Sequence, residues 1–488
     1  MPGRPALPES PTMSQPLRLA LDRGQPASLV EQIVREIERA RHSAVLHGGM
    51  RMPSIRQLAQ AHGISTFTVV EAYDRLVAQG VLIARRGAGF FVASDDPAHD
   101  MPRPRPRAVA REVGNAWLLS EVFADDSIPV KSGCGWLPDD WLDEDGLQGA
   151  LRQLAKGAGT RFVHYGHPQG YAPLRQSIAR RLADIALDAH ADQIVLTHGA
   201  TQGLDLIART LLHPGDAVLV EEPAYCNLLA ILRSAGLHVV GVPRDAAGLD
   251  LAQLESAIQT HRPRALFLNS VLQNPLGTSL SPACAHRILQ FAEQHGLWVV
   301  DDDIYRELAP PNAPALAAMD GLHRVIYLGS FSKTISPSIR VGYVACAPAL
   351  AAELARTKMI GGLTTSEINE RLVHLVLTEG GHRKHIERLT DRLARARSRL
   401  CTQLTACGLS LLAKPDGGMF VCAALPEGTP SSREIAEHAL TQGIMLAPGE
   451  FFVTQSEPCH WFRFNAAYSD DARLYRFLET TLSAAHAS

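Results

Sequence analysis

The residues best suited to chemistry in this chain gather around one lysine. Lys333 is one of only six lysines. It stands in the run Ser330-Phe-Ser332-Lys333-Thr-Ile-Ser-Pro-Ser-Ile-Arg340. An amine flanked by hydroxyls and a guanidinium can hold an aldehyde covalently and grip an anion beside it. A second anion-binding element is Thr197-His-Gly-Ala200-Thr201-Gln202-Gly, which reads as a strand passing into a helix. Backbone N–H groups and a hydroxyl there meet the positive end of the helix dipole. Val299-Val-Asp301-Asp302-Asp303-Ile-Tyr305 sets three carboxylates and a phenol at a strand end. Glu221-Glu-Pro-Ala-Tyr225 offers an aromatic ring, and Asn274-Pro-Leu-Gly277 a turn with an amide side chain.

These pieces need a scaffold, and the chain shows one. Short apolar runs at 194–197, 217–221, 265–269, 297–301, 325–328 and 341–345 are bounded by loops. Helical patterns fit between them, for example 202–212 and 284–295. That alternation predicts an α/β domain with a mainly parallel sheet, helices on both faces, and a smaller C-terminal α/β part.

The N-terminal region reads differently. Apolar residues at helical spacing predict a helix from Leu29 to about Leu46. Pro53 and Ser54 open a second helix that Gly63 breaks, and a third runs from Thr66 to Gly80. Two apolar runs, 81–84 and 90–93, flank Arg85-Arg86-Gly-Ala-Gly89 and predict a hairpin with a basic tip. Three helices and a basic hairpin make a winged helix-turn-helix pattern. Thr66 and Thr68 are then placed to reach base edges of double-stranded DNA. Arg51, Ser54 and Arg56 on the preceding helix, and Arg85 and Arg86 on the wing, are placed to meet phosphates.

At 488 residues the chain exceeds one ordinary core. The reading is a disordered N-terminus over 1–16, a DNA-binding domain over 17–94, a Pro/Arg-rich linker over 95–115 and a large domain over 116–488. In the linker, Met101-Pro-Arg-Pro-Arg-Pro-Arg107 is incompatible with helix. A net charge of -3 excludes a uniformly basic surface, so DNA contact must be local. Eight cysteines without close pairing predict reduced thiols and no metal site. The N-terminus has no apolar leader, and no run reaches a membrane span, so a cytoplasmic protein is expected.

The N-terminal wording Arg51-Met-Pro-Ser-Ile-Arg-Gln-Leu-Ala59, Ser65-Thr-Phe-Thr-Val69 and Arg86-Gly-Ala-Gly-Phe-Phe-Val92 resembles the GntR family of regulators. It departs at Thr66, where that family usually carries arginine, so its base-reading pattern is not simply inherited. The rest of the chain resembles fold-type I, class I aminotransferases, which use pyridoxal 5'-phosphate. The resemblance implies that Lys333 holds the cofactor aldehyde and that Ala200, Thr201, Gln202, Ser330, Ser332 and Arg340 surround its phosphate. It implies further that Tyr225 stacks on the ring while Asn274 and Tyr305 bond its oxygen. Asp302 is the choice for the ring nitrogen, with Asp301 and Asp303 as rivals. Tyr165, in Tyr165-Gly-His-Pro-Gln-Gly-Tyr171, resembles a tyrosine that reaches the phosphate of a neighbouring subunit, implying a homodimer. Arg463, in Trp461-Phe-Arg463-Phe-Asn, resembles the clamp for an amino-acid carboxylate.

The combination resembles the MocR subgroup of regulators. It implies a transcriptional regulator that senses an amino acid, an amine or the cofactor itself. In that reading an incoming amine displaces Lys333 while Arg463 holds its carboxylate. The competing reading is a working aminotransferase that carries an accessory DNA-binding module.

Overall fold

The structure is a computed structural model that describes residues 17–93 (apart from 18, 26, 44, 86 and 87), 128–156, 163–455 and 457–486. Arg86, the 1–16 segment and the 95–115 linker lie outside the described residues. Those described fall into two compact units, one on each side of that linker.

In the smaller unit, α1 (Leu29–His42), α2 (Ile55–His62) and α3 (Thr66–Ala78) precede the antiparallel pair β1 (Leu82–Arg85) and β2 (Gly89–Val92). Each helix starts on a serine cap. Ser28 and Ser54 form reciprocal capping boxes with Glu31 and Gln57, and Ser65 accepts from the Phe67 amide. The first helix stops four residues earlier than its apolar spacing suggested. There the Ser43 hydroxyl donates to the Arg39 carbonyl at 2.9 Å and competes with helix continuation. Ile33, Ile37, Leu58, Val69, Tyr73, Leu76 and Val92 fill one core. Burying each such side chain stabilises by about 2 kcal/mol, and Tyr73 satisfies its hydroxyl on the Pro53 carbonyl at 2.9 Å.

The larger unit carries β3 (Ile194–Thr197), β4 (Ala217–Glu222), β5 (His238–Asp245), β6 (Gly248–Leu249), β7 (Ala265–Leu268), β8 (Trp298–Asp302), β9 (Val325–Ser330) and β10 (Gly342–Ala345). They form one sheet in the order β3-β10-β9-β8-β7-β4-β5-β6. The pairs from β5 through β4, β7 and β8 to β9 are parallel, whereas β10 is antiparallel to both β9 and β3. The chain between β9 and β10 holds Lys333 and is too short for a helical crossover, which forces the reversal. Alternating side chains feed two cores: Leu219, Leu266, Val299, Val325 and Tyr327 on one face, and Val218, Phe267, Val300, Ile326 and Leu328 on the other. The helix Gly199–Leu211 begins three residues before its expected start.

The C-terminal part is a second sheet, β11 (Ser410–Leu411), β12 (Phe420–Ala424), β13 (Ala447–Pro448) and β14 (Trp461–Asn465), antiparallel in the order β11-β12-β14-β13. Helices Ser432–Thr441 and Ala472–His486 pack on it through Ile435, Leu474 and Leu478. Among the described residues no helix is long and apolar enough to cross a membrane, and no cluster of His, Cys, Asp or Glu could hold a metal.

Candidate functional site

Four loops at the carboxyl ends of β4, β7, β8 and β9 carry Tyr225, Asn274, Tyr305 and Lys333. That edge of a parallel sheet is where open α/β folds bind ligands. Lys333 is half-buried and its Nζ donates to the Gly135 carbonyl at 2.6 Å. Burial pushes its ammonium down to about 8, with Arg463 and Arg340 adding to the fall.

The three consecutive aspartates separate by strand alternation. Val300 and Asp302 share one face of β8, while Asp301 lies with Val299 on the other. Asp301 accepts from the Ser270 amide at 3.0 Å and its hydroxyl at 2.8 Å, and Asp303 pairs with Arg306 at 2.6 Å. Asp302 is buried with Oδ1 unpartnered. Burial, then the neighbouring charge of Asp301, raises its carboxyl to about 7. It interacts electrostatically with Lys333, Tyr225 and Tyr305.

Arg463 sits on β14 opposite Cys422 of β12 and Ala447 of β13. Its guanidinium donates to Asn274 Oδ1 at 2.9 Å and to the Gly133 carbonyl at 2.7 Å, between the rings of Phe420 and Phe452. Its Nε has no partner. Tyr305 is buried edge-on to Phe420, and Tyr225 accepts from Asn227 at 3.0 Å.

The anion-binding elements meet at Gly199. Its backbone is left-handed, which favours glycine, and a Cβ there would stand 2.7 Å from an Arg340 guanidinium nitrogen, so glycine leaves room for the arginine to lie on the helix start. Arg340 also donates to the His198 carbonyl at 3.1 Å. Gln202 turns back to accept from the His198 amide at 2.7 Å, Ala200 is at the edge of burial, and Thr201 is exposed. Ser330 accepts from the Ser332 amide at 3.2 Å, and the Ser332 hydroxyl is buried without a partner. The Tyr165 side chain is exposed.

Two supports go beyond the roles read from the motifs. The loop Lys131–Trp136 supplies carbonyls to Lys333, Arg463 and Asn465. Its Gly-Cys-Gly wording was the available signal. A buried ion pair, Arg244 to Glu221 at 2.6 Å, orients the Asn269 amide, whose side chain donates to the Asp302 carbonyl. Cleft residues thus rest on partners far along the chain.

In the winged unit Arg51, Ser54, Arg56, Thr66 and Arg85 are exposed and Thr68 is half-buried. Arg51 is not on the helix assigned to it. It forms a β-bridge with Phe91, next to the wing, because α2 begins only at the Ser54 cap. Ser54 spends its hydroxyl on that cap. Arg85 stacks over Phe91 at 4.7 Å. Sequence reasoning passed over Phe67, which stands 74% exposed between the two threonines.

The sequence matches two family models, aminotransferase class I and II over residues 139–480 and bacterial regulatory proteins of the gntR family over 29–92. It is 32% identical to the uncharacterized HTH-type transcriptional regulator YdcR of Escherichia coli, covering 90% of this chain and 95% of that one. It is 28% identical to the probable rhizopine catabolism regulatory protein MocR of Rhizobium meliloti, covering 76% of each. Among solved structures, the α-aminoadipate aminotransferase of Thermus thermophilus superposes with a TM-score of 0.69 at 29% identity, over 76% of this chain and 95% of that one. With a gntR-type module ahead of an aminotransferase class I and II domain, the chain belongs to the MocR subgroup of transcriptional regulators.

Proposed function

We propose that the protein binds DNA through its winged unit and pyridoxal 5'-phosphate through its larger unit, and that an amino acid, an amine or the cofactor is the signal. The observation that carries this reading is the set of buried, unsatisfied groups around Lys333. Asp302 Oδ1, Ser332 Oγ and Arg463 Nε all lack partners there. Buried polar atoms left unpaired cost about 1–3 kcal/mol each, so a cleft that keeps three of them fits a polar occupant.

When bound, the cofactor supplies an aldehyde that condenses with amines and a ring that withdraws electrons once its nitrogen is protonated. Lys333 is the amine that holds the aldehyde. Its lowered pKa keeps a useful fraction unprotonated near neutrality. Asp302 would pair with the ring nitrogen and hold its proton, and Tyr225 would cover the ring face. Asn274 and Tyr305 would hydrogen-bond the ring oxygen. Ala200, Thr201 and Gln202 offer amides at a helix start, and Ser330, Ser332 and Arg340 complete the phosphate grip. Arg463 receives the effector's carboxylate. Val163, Tyr165 and Ile360 are 89%, 82% and 90% exposed, which supports a second copy covering them and Tyr165 reaching the partner's phosphate. Arg51, Arg56, Arg85 and Arg86 meet DNA phosphates, and Thr66 and Thr68 approach base edges.

A second reading, a working aminotransferase, draws on the same lysine, since an amine with a pKa of about 8 could also move protons at the substrate. Supplying the holoprotein with an amino acid and a 2-oxo acid separates the two. The regulator is expected to exchange its amine partner and stop. Repeated turnover, with DNA binding indifferent to the amino acid, would overturn the sensor.

A further inference from the structure

The groups read as a phosphate grip come from two segments, the start of the helix Gly199–Leu211 and the end of the lysine run at Arg340. Arg340 is exposed, and its backbone φ is 53°. A residue with a side chain adopts that left-handed conformation at a cost, and keeps it where the surrounding structure holds it.

Both ends of Arg340 are held. Its guanidinium donates to the His198 carbonyl at 3.1 Å. Its backbone is fixed by a residue that no motif contains. The preceding residue, Ile339, is buried, and its carbonyl accepts from the side-chain amide of Asn369 at 2.8 Å. That carbonyl lies in the same planar peptide unit as the Arg340 nitrogen, so fixing it fixes the plane about which the arginine φ turns. Asn369 is the third residue of the helix Glu367–Thr378 and is half-buried. Leu372, Val373 and Val376 of that helix share one core with Ile339 and Val341. The amide is therefore delivered by packed structure.

The next residue of the same turn reaches the other segment. Glu370 accepts from the Tyr171 amide at 2.8 Å and from the Thr365 hydroxyl. Thr365 accepts from Lys358 Nζ at 3.3 Å, and Lys358 also donates to the Leu196 carbonyl at 2.8 Å. Lys358 and Glu370 are each 1% exposed, so this chain of hydrogen bonds is shielded from water, where such bonds are strong and costly to break. Leu196 lies on β3 just before His198 and the helix start. Close packing completes the link. A Cβ on Gly342, the first residue of β10, would stand 2.7 Å from the Gly199 carbonyl carbon.

We propose that Asn369 is a positioning residue for the phosphate grip: by holding the Ile339 carbonyl it keeps Arg340 left-handed, with its guanidinium on the helix start at Gly199. Glu370, through Thr365 and Lys358, anchors the same turn to β3, so the arginine and the helix amides keep a fixed separation. The proposal rests on the reading of the cleft as a site for pyridoxal 5'-phosphate and deepens it by naming what sets its anion end.

The test compares uptake of pyridoxal 5'-phosphate with uptake of pyridoxal, which has the same aldehyde and no phosphate. The full-length chain, freed of cofactor, is titrated with each and followed by visible absorbance. In Asn369→Ala the phosphate ester should bind about tenfold more weakly while pyridoxal is unchanged, the size expected when one charged hydrogen bond is lost. In an Arg340→Ala background the same substitution should add nothing, because its effect passes through that arginine. Asn369→Asp, which keeps the volume but turns an oxygen toward the Ile339 carbonyl, should give the same selective loss if the alanine variant does not fold. Equal weakening of both aldehydes, an undiminished affinity for the phosphate ester, or a loss that persists without Arg340 would each overturn the assignment. A wild-type chain that takes up neither aldehyde would instead remove the cofactor reading, and the assignment with it.

Discussion

The two units use arginine in opposite ways. In the winged unit Arg51, Arg56 and Arg85 stand exposed on the surface. In the larger unit Arg463 is 5% exposed and locked by Asn274, Gly133 and two phenyl rings. A polyanion with many equivalent phosphates rewards cumulative, adaptable contacts that salt weakens. A single carboxylate rewards one guanidinium whose orientation was fixed before the ligand arrived. The comparison teaches where to expect graded losses and where to expect abrupt ones.

The largest effect belongs to the locked site. Lys333→Ala is expected to remove covalent attachment of the cofactor completely, read by mass spectrometry after borohydride reduction. A surviving adduct would locate the amine elsewhere. Next comes Arg463→Gln, which is expected to weaken an amino-acid effector by about 10- to 100-fold, the worth of charged hydrogen bonds of about 1.5–3 kcal/mol. An unchanged affinity, measured by titrating the cofactor absorbance, would show that the carboxylate binds elsewhere.

A pH series sharpens the same contrast. Burial disfavours the charged amine of Lys333, so capture of added cofactor by the apoprotein should accelerate as pH rises and level off above about 8. Below that point the rate should fall about tenfold per pH unit. A midpoint at the ordinary 10.5 would mean that the amine is solvated.

The smallest effects belong to the surface. Phe67→Ala should leave the unfolding midpoint unchanged, because the ring is exposed, and cost about 1 kcal/mol of DNA affinity if it touches a thymine methyl. Replacing Arg85 and Arg86 together should weaken all duplexes alike and flatten the salt dependence by about two ions. An abrupt, sequence-dependent loss from the wing pair would break the contrast between the units.

Much of this was legible in the chain because the informative residues are neighbours in sequence. The Ser330–Arg340 run, the Asn274 turn and the Thr66 helix start each carry their meaning within a dozen residues. The mainly parallel sheet followed from alternating strand and helix patterns, and it reverses at β10 and at β6, each reached by a short connection. What stayed hidden depends on distance. Gly133 meets Arg463 across 330 positions, and Glu221 reaches Asn269 across 48. No local pattern announces such contacts. The choice among Asp301, Asp302 and Asp303 was open in the motif. Strand periodicity separates them, but only once the face toward the lysine is known.

The fit of Arg340 against Gly199 has a consequence for comparing relatives. A methyl group at position 199 would press on the guanidinium and strain the left-handed backbone without altering any ionisable or hydrogen-bonding side chain. An inventory of polar residues would then look complete while the fit between the arginine and the helix start was lost. In a related sequence, the bare backbone at that position is therefore a sharper marker of this fit than the arginine itself.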